Sequence, residues 1–144
     1  MAVKVGNKDV PFNKEATRWL GIWLDSQLSL KEHHAGRMKK GKQAMARIRR
    51  LTGQMGLSPS NCRKVLTACV QSVTLYGSEL WWKISRQSKG RAEEIQKLVN
   101  QEARAVTGCF RTTNTGVLAI EAGLRPATAQ LNNRQRRYAI RMSR

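Results

Sequence analysis

The spacing of the apolar residues changes near Leu30, and this change constrains the fold more than any other feature of the sequence. Before it, valines and tryptophans recur with the period of two that is typical of β-strands. After it, apolar residues recur every three or four positions, as on one side of an α-helix, and no strand pattern returns. The sequence therefore predicts an α+β fold that is mostly α, with a short N-terminal β-unit at 1–28 and one compact helical unit at 29–144.

The β-unit is predicted as a hairpin with a third strand. Valines flank the turn-forming segment 6–9, which indicates the hairpin. The run 17–24 is expected to be one further strand, because its apolar residues alternate. Alternation then places Leu20, Ile22 and Leu24 on one face, and Trp19, Gly21 and Trp23 on the other. The first face suits a core; the second carries two indoles that are either core residues or a stacking platform for bases or a sugar.

The helical unit is predicted as a basic bundle of four to five helices. The first helix runs over 31–52 and should end near Gly53, because glycine commonly terminates helices. The segment 61–83 is the most apolar and is predicted as a central helix, with Cys62 and Cys69 as buried thiols. Further helices are expected over 91–107, near 117–120 and from Pro126 onward.

The charge of the chain favours a polyanionic partner. Lys and Arg number 27 against 9 Asp and Glu, which gives a formal net charge of +18 and a pI near 11.1. Such a chain repels itself unless an anion is near, and nucleic acid is a better candidate than an anionic membrane surface. The segment 61–83 is interrupted by polar residues and is not expected to span a membrane. Without a signal-peptide pattern, the expected location is intracellular, in nucleus or cytoplasm.

Helix 31–52 is the strongest indication of a polyanionic partner in this sequence. Eight cations stand on it against the single carboxylate of Glu32. They are Lys31, Arg37, Lys39, Lys40, Lys42, Arg47, Arg49 and Arg50. A solvated face normally mixes charges of both signs, so we favour a phosphate-contacting surface over an ordinary solvated face. On helix 91–107, by contrast, Lys97 and Arg104 stand among carboxylates in the sequence and are expected to contribute much less.

The sequence shows no constellation for catalysis or for a metal. Its carboxylates form no paired-aspartate signature of the kind that two-metal phosphoryl transfer requires, and no glycine-rich phosphate loop is present. His33 and His34 are adjacent and project to different sides of a helix, so packing is a better interpretation than metal binding. The three cysteines lack a CxxC spacing. We therefore expect no catalytic residue, metal ligand or cofactor in this chain.

Three segments resemble the reverse transcriptases of non-LTR (LINE-type) retrotransposons, in the region just after the palm. They are WLGIWLD at 19–25, followed by Leu28, Leu30 and His33; LYGSELW at 75–81; and GLRPA at 123–127. Their order and spacing fit across nearly the whole chain. The first segment alone is a weak match, but the three together are specific.

The resemblance implies that 1–28 is similar to a primer-grip unit and that 29–144 is similar to a thumb. Trp19, Leu20 and Gly21 would then lie where the primer terminus is held. The first helix would follow the template–primer duplex, an RNA–DNA or DNA duplex, through the cations of its outer face. Those cations are Lys39, Lys40, Lys42, Arg47 and Arg50.

The resemblance also implies partners outside this sequence. The palm with its paired aspartates and the fingers of the same polyprotein would supply the chemistry, and Mg²⁺ is expected only in that palm. The chain is thus interpreted as part of an RNA-directed DNA polymerase that is inactive by itself. The alternative is a stand-alone basic protein that binds RNA or DNA structurally, with no polymerase role. A basic amphipathic protein on an anionic membrane is a weaker third alternative.

Overall fold

The computed structural model describes residues 2–6, 8–11, 16–83 and 88–143. The chain divides into two compact units, Met1–Ala35 and Gly36–Arg144. The first unit contains the strands and the start of the first helix, and the second contains the rest of that helix and the remaining helices. The predicted α+β class, mostly α, is confirmed.

The strands form two separate antiparallel hairpins. In the first, β1 (Ala2–Val5) pairs with β2 (Lys8–Pro11) across a turn that includes Gly6, whose φ is +62°. In the second, β3 (Thr17–Trp19) pairs with β4 (Ile22–Leu24). The first hairpin was expected from the sequence, whereas the second was not.

The prediction of one continuous strand over 17–24 is wrong, because the chain reverses at Leu20 and Gly21. Trp19 lies opposite Ile22 in the register, so the turn has two residues. Both turn residues have positive φ, +47° at Leu20 and +82° at Gly21, which is the type I′ pattern. This turn is favoured in hairpins because its twist matches that of the flanking strands. Glycine adopts such a φ without penalty, and leucine does not.

Asp25 organises the connection between the second hairpin and the first helix. Its carboxylate accepts hydrogen bonds from the backbone N–H of Ser29, at 3.0 Å, and of Leu30, at 2.8 Å. The connection contains positive φ values at Leu28 and Leu30, +51° and +55°. A short acceptor side chain that bonds several residues ahead is a common way to hold such a turn.

Helix α1 spans Lys31–Met55, three residues beyond the predicted end. Gly53 stays inside the helix, and the chain leaves it at Gly56, whose φ is +59°. The predicted apolar stripe is confirmed in the second unit, where Met38, Met45 and Ile48 are buried. A glycine in the middle of a helix lowers stability unless close packing requires it. Close packing requires Gly41, because a Cβ there would clash with Thr74 Oγ1 and lie 3.3 Å from Leu98 Cδ2.

The predicted helix over 61–83 is wrong in its length and its regularity. Helix α2 (Pro59–Leu66) leads into a π-helical segment, Thr67–Gln71, and then into α3 (Ser72–Thr74). Gly77, with φ of +72°, reverses the chain before a 3₁₀ turn at Ser78–Leu80. Helix α2 begins two residues before the predicted start, and Ser58 caps it: its Oγ accepts from the N–H of Asn61 at 3.4 Å.

The π segment also explains why one thiol was misplaced. Cys62 is buried as predicted, but Cys69 is exposed and Val70 is fully buried beside it. A π turn holds one more residue than an α turn, so it shifts the residue that faces the core by one position. Sequence periodicity cannot register such an insertion.

Three helices complete the second unit: α4 (Ser88–Thr107), α5 (Thr115–Glu121) and α6 (Ala127–Met142). Gly108 ends α4 with φ of +69°, and Asn114 caps α5 by accepting from the N–H of Gly116 at 2.8 Å. The predicted inward residues of α4 are all buried, as are the central apolar residues of α2, α5 and α6. They are Ile95, Leu98, Val99, Ala103 and Val106 in α4, with Leu66, Leu118 and Leu131 from the other helices.

The segment 75–81 serves to attach the turn at Gly77 to helix α6. Arg134 donates from Nη1 to the carbonyl of Leu75 at 3.0 Å and lies 3.4 Å from Glu79 Oε1. The indole N–H of Trp82 donates to Asn132 at 2.9 Å. This part of the family resemblance therefore has a structural role. In the described ranges, no helix has the length and apolar character needed to cross a membrane.

Candidate nucleic-acid interface

The turn of the second hairpin presents apolar side chains to solvent. Trp19 is 63% exposed and Leu20 is 72% exposed, and Trp23 on β4 is also exposed. The interpretation of these indoles as core residues is therefore wrong. The exposed end of this hairpin consists of Trp19, Leu20 and Gly21, and we call these three residues the hairpin tip. The hairpin tip lies in the first unit.

The predicted cations of α1 lie on its solvent-facing side in the second unit. Successive residues of an α-helix are rotated by about 100° around its axis. On this geometry four of the cations lie opposite the buried stripe: Lys39, Lys40, Arg47 and Arg50. Lys42 is exposed on the flank of the same side. We call these five residues the α1 basic face. Among the residues that the structure describes, no carboxylate forms an ion pair with any of them.

Arg37 differs from the cations of the α1 basic face. Its guanidinium carbon lies 4.3 Å from the centre of the Tyr76 ring, at the start of the turn around Gly77. A cation over an aromatic face within about 6 Å is an attractive contact. Arg37 therefore helps to join α1 to the second segment of the family resemblance.

A second group of cations lines a cleft that sequence reasoning missed. The cleft has a volume of about 800 Å³, and its walls come from α1, α4, the loop after α4 and the start of α5. Four cations line it, and none of its lining residues is a carboxylate. They are Arg49, Lys97, Arg104 and Arg111. Lys97 and Arg104 are two helical turns apart and so share one side of α4. This spacing is the sequence pattern from which their grouping could have been predicted.

Glu102, which stands near these cations in the sequence, points into the core instead. Its side chain is 1% exposed and its Oε2 accepts from Gln71 Nε2 at 2.7 Å. Burial raises the pKa of Glu102 to about 7, against the opposing effect of the Gln71 hydrogen bond. Glu102 is one of the three carboxylates that were expected to offset Lys97 and Arg104, and it is absent from the cleft. The other two, Glu93 and Glu94, are exposed on α4 and do not line the cleft either.

The described residues include side chains of the types that hold metal ions. No three His, Cys, Asp or Glu side chains come together in this part of the chain. His33 is buried, and its Nδ1 lies 3.4 Å from the backbone nitrogen of Trp23, which donates to it. An imidazole held in this way within the first unit is a packed side chain.

Comparison with known proteins identifies distant relatives. No protein-family model and no solved structure matches the chain. A probable RNA-directed DNA polymerase from transposon BS of Drosophila melanogaster is 27% identical over 128 residues, covering 88% of this chain and 14% of that protein. A retrovirus-related Pol polyprotein from type-1 retrotransposable element R1 of Nasonia vitripennis is 23% identical over 142 residues, covering 98% of this chain and 35% of that protein.

These relatives agree with the family resemblance of the three sequence segments. The chain spans only 14% and 35% of the length of the two relatives, so it corresponds to a part of each. The matches nevertheless cover most of this chain and therefore include both of its units. The predicted relationship is confirmed: these two curated relatives are an RNA-directed DNA polymerase of a transposon and a Pol polyprotein of a type-1 retrotransposable element.

Proposed function

We propose that this chain is the thumb-side part of a retrotransposon reverse transcriptase and that it binds template–primer duplex through the α1 basic face. The observation that carries the proposal is the position of five exposed cations on one helix, without an ion-pairing carboxylate in the described residues. Cations in this arrangement neutralise phosphates and release condensed counterions, which supplies binding free energy without reading base sequence.

The hairpin tip supports a second contact, with the primer end. Leu20 keeps a positive φ of +47° that glycine or asparagine would adopt more easily, and its side chain is exposed. Residues held in sparsely populated backbone conformations cluster at functional sites. We propose that Trp19, Leu20 and Gly21 hold the primer terminus in the complete polyprotein.

The chemistry belongs, in this proposal, to a palm and fingers elsewhere in the polyprotein. The sequence contains no paired-aspartate signature of the kind that holds Mg²⁺ for phosphoryl transfer. We expect the purified chain to extend no labelled primer on a template with Mg²⁺ or Mn²⁺. Extension by the chain alone would overturn this assignment.

The duplex-binding proposal is tested through its salt dependence. Lys39, Lys42, Arg47 and Arg50 are replaced together by Gln, and affinity for a short RNA–DNA hybrid is measured by fluorescence anisotropy at several salt concentrations. The slope of log K against log salt should flatten by up to about 0.9 for each phosphate of a B-form duplex that the variant no longer neutralises. Circular dichroism checks the helix, which should persist because exposed substitutions usually change stability by no more than about 0.5 kcal/mol each.

The control must remove the same charge elsewhere. Lys97 and Arg104 cannot serve because both line the cleft. Four exposed cations outside it are suitable: Lys64, Lys89, Arg136 and Arg141. If their replacement by Gln flattens the slope as much as the α1 variant does, net charge alone drives association and the α1 basic face is an ordinary solvated surface. That result would favour the alternative of a non-specific basic RNA- or DNA-binding protein.

A further inference from the structure

We propose that the cleft between α1, α4 and the loop after α4 binds a segment of single-stranded nucleic acid, at a site separate from the α1 basic face. None of the five residues of the α1 basic face lines the cleft. The inference therefore stands or falls independently of duplex binding.

The charge of the cleft selects an anionic ligand. Arg49, Lys97, Arg104 and Arg111 come from three different parts of the second unit, and no lining residue is acidic. Positive charges that line one cavity repel each other, and a polyanion that enters it relieves that repulsion. A chain of phosphodiesters matches four such cations better than a single small anion does.

Arg104 is fixed in the wall of the cleft by the loop that it contacts. Its Nη1 donates to the carbonyl of Asn100 at 3.4 Å, and its Nη2 donates to the carbonyl of Arg111 at 3.3 Å. A guanidinium has five N–H donors, so two such bonds leave others for a phosphate oxygen. The same bonds hold the loop after α4 against the helix, so this side of the cleft is formed before a ligand arrives.

The size of the cleft favours one strand over a duplex. Its volume of about 800 Å³ falls in the range of small-ligand sites, about 300–1,000 Å³. A duplex is recognised on an open surface or by an element inserted into its groove, and it does not enter a cavity of this size. One strand can place its phosphates inside and leave its bases accessible.

An exposed aromatic residue in the loop that lines the cleft supplies the second element of single-strand recognition. Phe110 lies between Cys109 and Arg111, which both line the cleft, and its side chain is 86% exposed. Proteins that bind single strands combine a basic groove with aromatic side chains on which bases stack. Asn100 and Gln101 in the wall add amide groups that can bond to sugars or bases.

Two variants test this site against a matched control. In the first, Lys97→Gln is combined with Arg111→Gln; in the second, Phe110→Ser stands alone. The control combines Arg136→Gln with Arg141→Gln, which removes the same charge from exposed positions of α6 outside the cleft. Anisotropy is measured with a labelled 12-nucleotide oligouridylate and with a 12-base-pair RNA–DNA hybrid at fixed salt, and circular dichroism verifies each fold.

We expect each cleft variant to bind the oligouridylate at least about fivefold more weakly than the control variant does. For Phe110→Ser this is about the factor that stacking on an aromatic side chain contributes per base. Affinity for the hybrid should stay within about twofold of the control. Equal oligouridylate affinity in cleft and control variants would overturn the site. Equal reductions for oligouridylate and hybrid would overturn its single-strand selectivity, because the cleft would then belong to a duplex surface. The duplex-binding proposal fails on a different result: the slope of log K against log salt would be the same for the α1 variant and its parent.

Discussion

Gln71 donates a hydrogen bond to the buried carboxyl group of Glu102, with 2.7 Å between Nε2 and Oε2. The donor stands at the end of the π-helical segment Thr67–Gln71, and the acceptor stands on α4. One hydrogen bond only partly compensates a carboxylate for the hydration that burial removes. The pKa of Glu102 is accordingly raised from 4.5 to about 7.

This pKa predicts that the folded state becomes less stable as the pH rises from about 4.5 to about 7. In that window the folded state binds a proton that the unfolded state has released, so the free energy of unfolding falls with pH. Glu102→Gln removes the titration and keeps an acceptor for Gln71. The variant should be more stable than the parent at pH 8, by up to about 3 kcal/mol, and nearly equal to it at pH 4.5.

Urea denaturation followed by circular dichroism at the two pH values measures the effect of Glu102→Gln. Glu121→Gln is the control, because Glu121 is exposed. The interpretation fails if Glu102→Gln and its parent show the same difference in stability between pH 4.5 and pH 8.

Gly41→Ala should destabilise the second unit, although alanine is the better helix former. An added Cβ would clash with Thr74 Oγ1, a buried hydroxyl that donates to the carbonyl of Val70 at 2.8 Å. Overpacking of this kind costs about 1–3 kcal/mol. Gly36→Ala is the matched control on the same helix, because a Cβ there meets nothing within 4 Å. It should stabilise by about 0.5–1 kcal/mol, so thermal unfolding should move in opposite directions for the two variants.

Arg134→Ala should loosen the attachment of the turn around Gly77 to α6. The substitution removes the donor to the Leu75 carbonyl and the ion pair with Glu79. The Leu75 carbonyl keeps the hydrogen bond from the Ser78 N–H, at 3.2 Å. The expected cost is therefore that of one lost hydrogen bond, about 0.5–1.5 kcal/mol. Arg136→Ala, at an exposed position on the same helix, should change stability by no more than about 0.5 kcal/mol. Equal urea midpoints for the two variants would contradict the role given to Arg134.

Leu20→Asn should strengthen the second hairpin and weaken the grip on a primer. Asparagine followed by glycine is a preferred pair for a type I′ turn, and Leu20 now occupies the first of these positions with φ of +47°. Slower amide hydrogen exchange in 17–24 would report the stronger hairpin. Affinity for a recessed primer end, measured beside that for a blunt hybrid, should fall while the blunt-hybrid affinity is unchanged. Unchanged affinity for both would show that the Leu20 side chain does not contact the primer.

Local periodicity was sufficient for several elements of the fold. The change of spacing near Leu30 predicted the division into strands and helices, and the stripe of Met38, Met45 and Ile48 predicted which side of α1 is buried. The same stripe placed the cations of the α1 basic face in solvent. These features follow from the sequence because side chains on a regular helix have fixed angular positions.

Irregular backbone could not be predicted in the same way. The two-residue turn at Leu20 and Gly21 contains a leucine at a position that favours asparagine, aspartate or glycine, so its sequence resembles a continuous strand. The π segment adds a residue to one turn and moves the core position from Cys69 to Val70. Neither irregularity changes the spacing of apolar residues in the sequence, so periodicity could not predict either.

The sequence by itself determined the charge of this protein, its helical periods and the family resemblance of its three segments. Only the tertiary structure decided which cations act together. Arg49 is 48 positions from Lys97 in the sequence, and both line one cleft because α1 and α4 belong to the same packed unit. The packing that buries Glu102 also removes its carboxylate from the cations nearby in the sequence. Charge is a property of composition, but an electrostatic site depends on distances that exist only after the helices have packed.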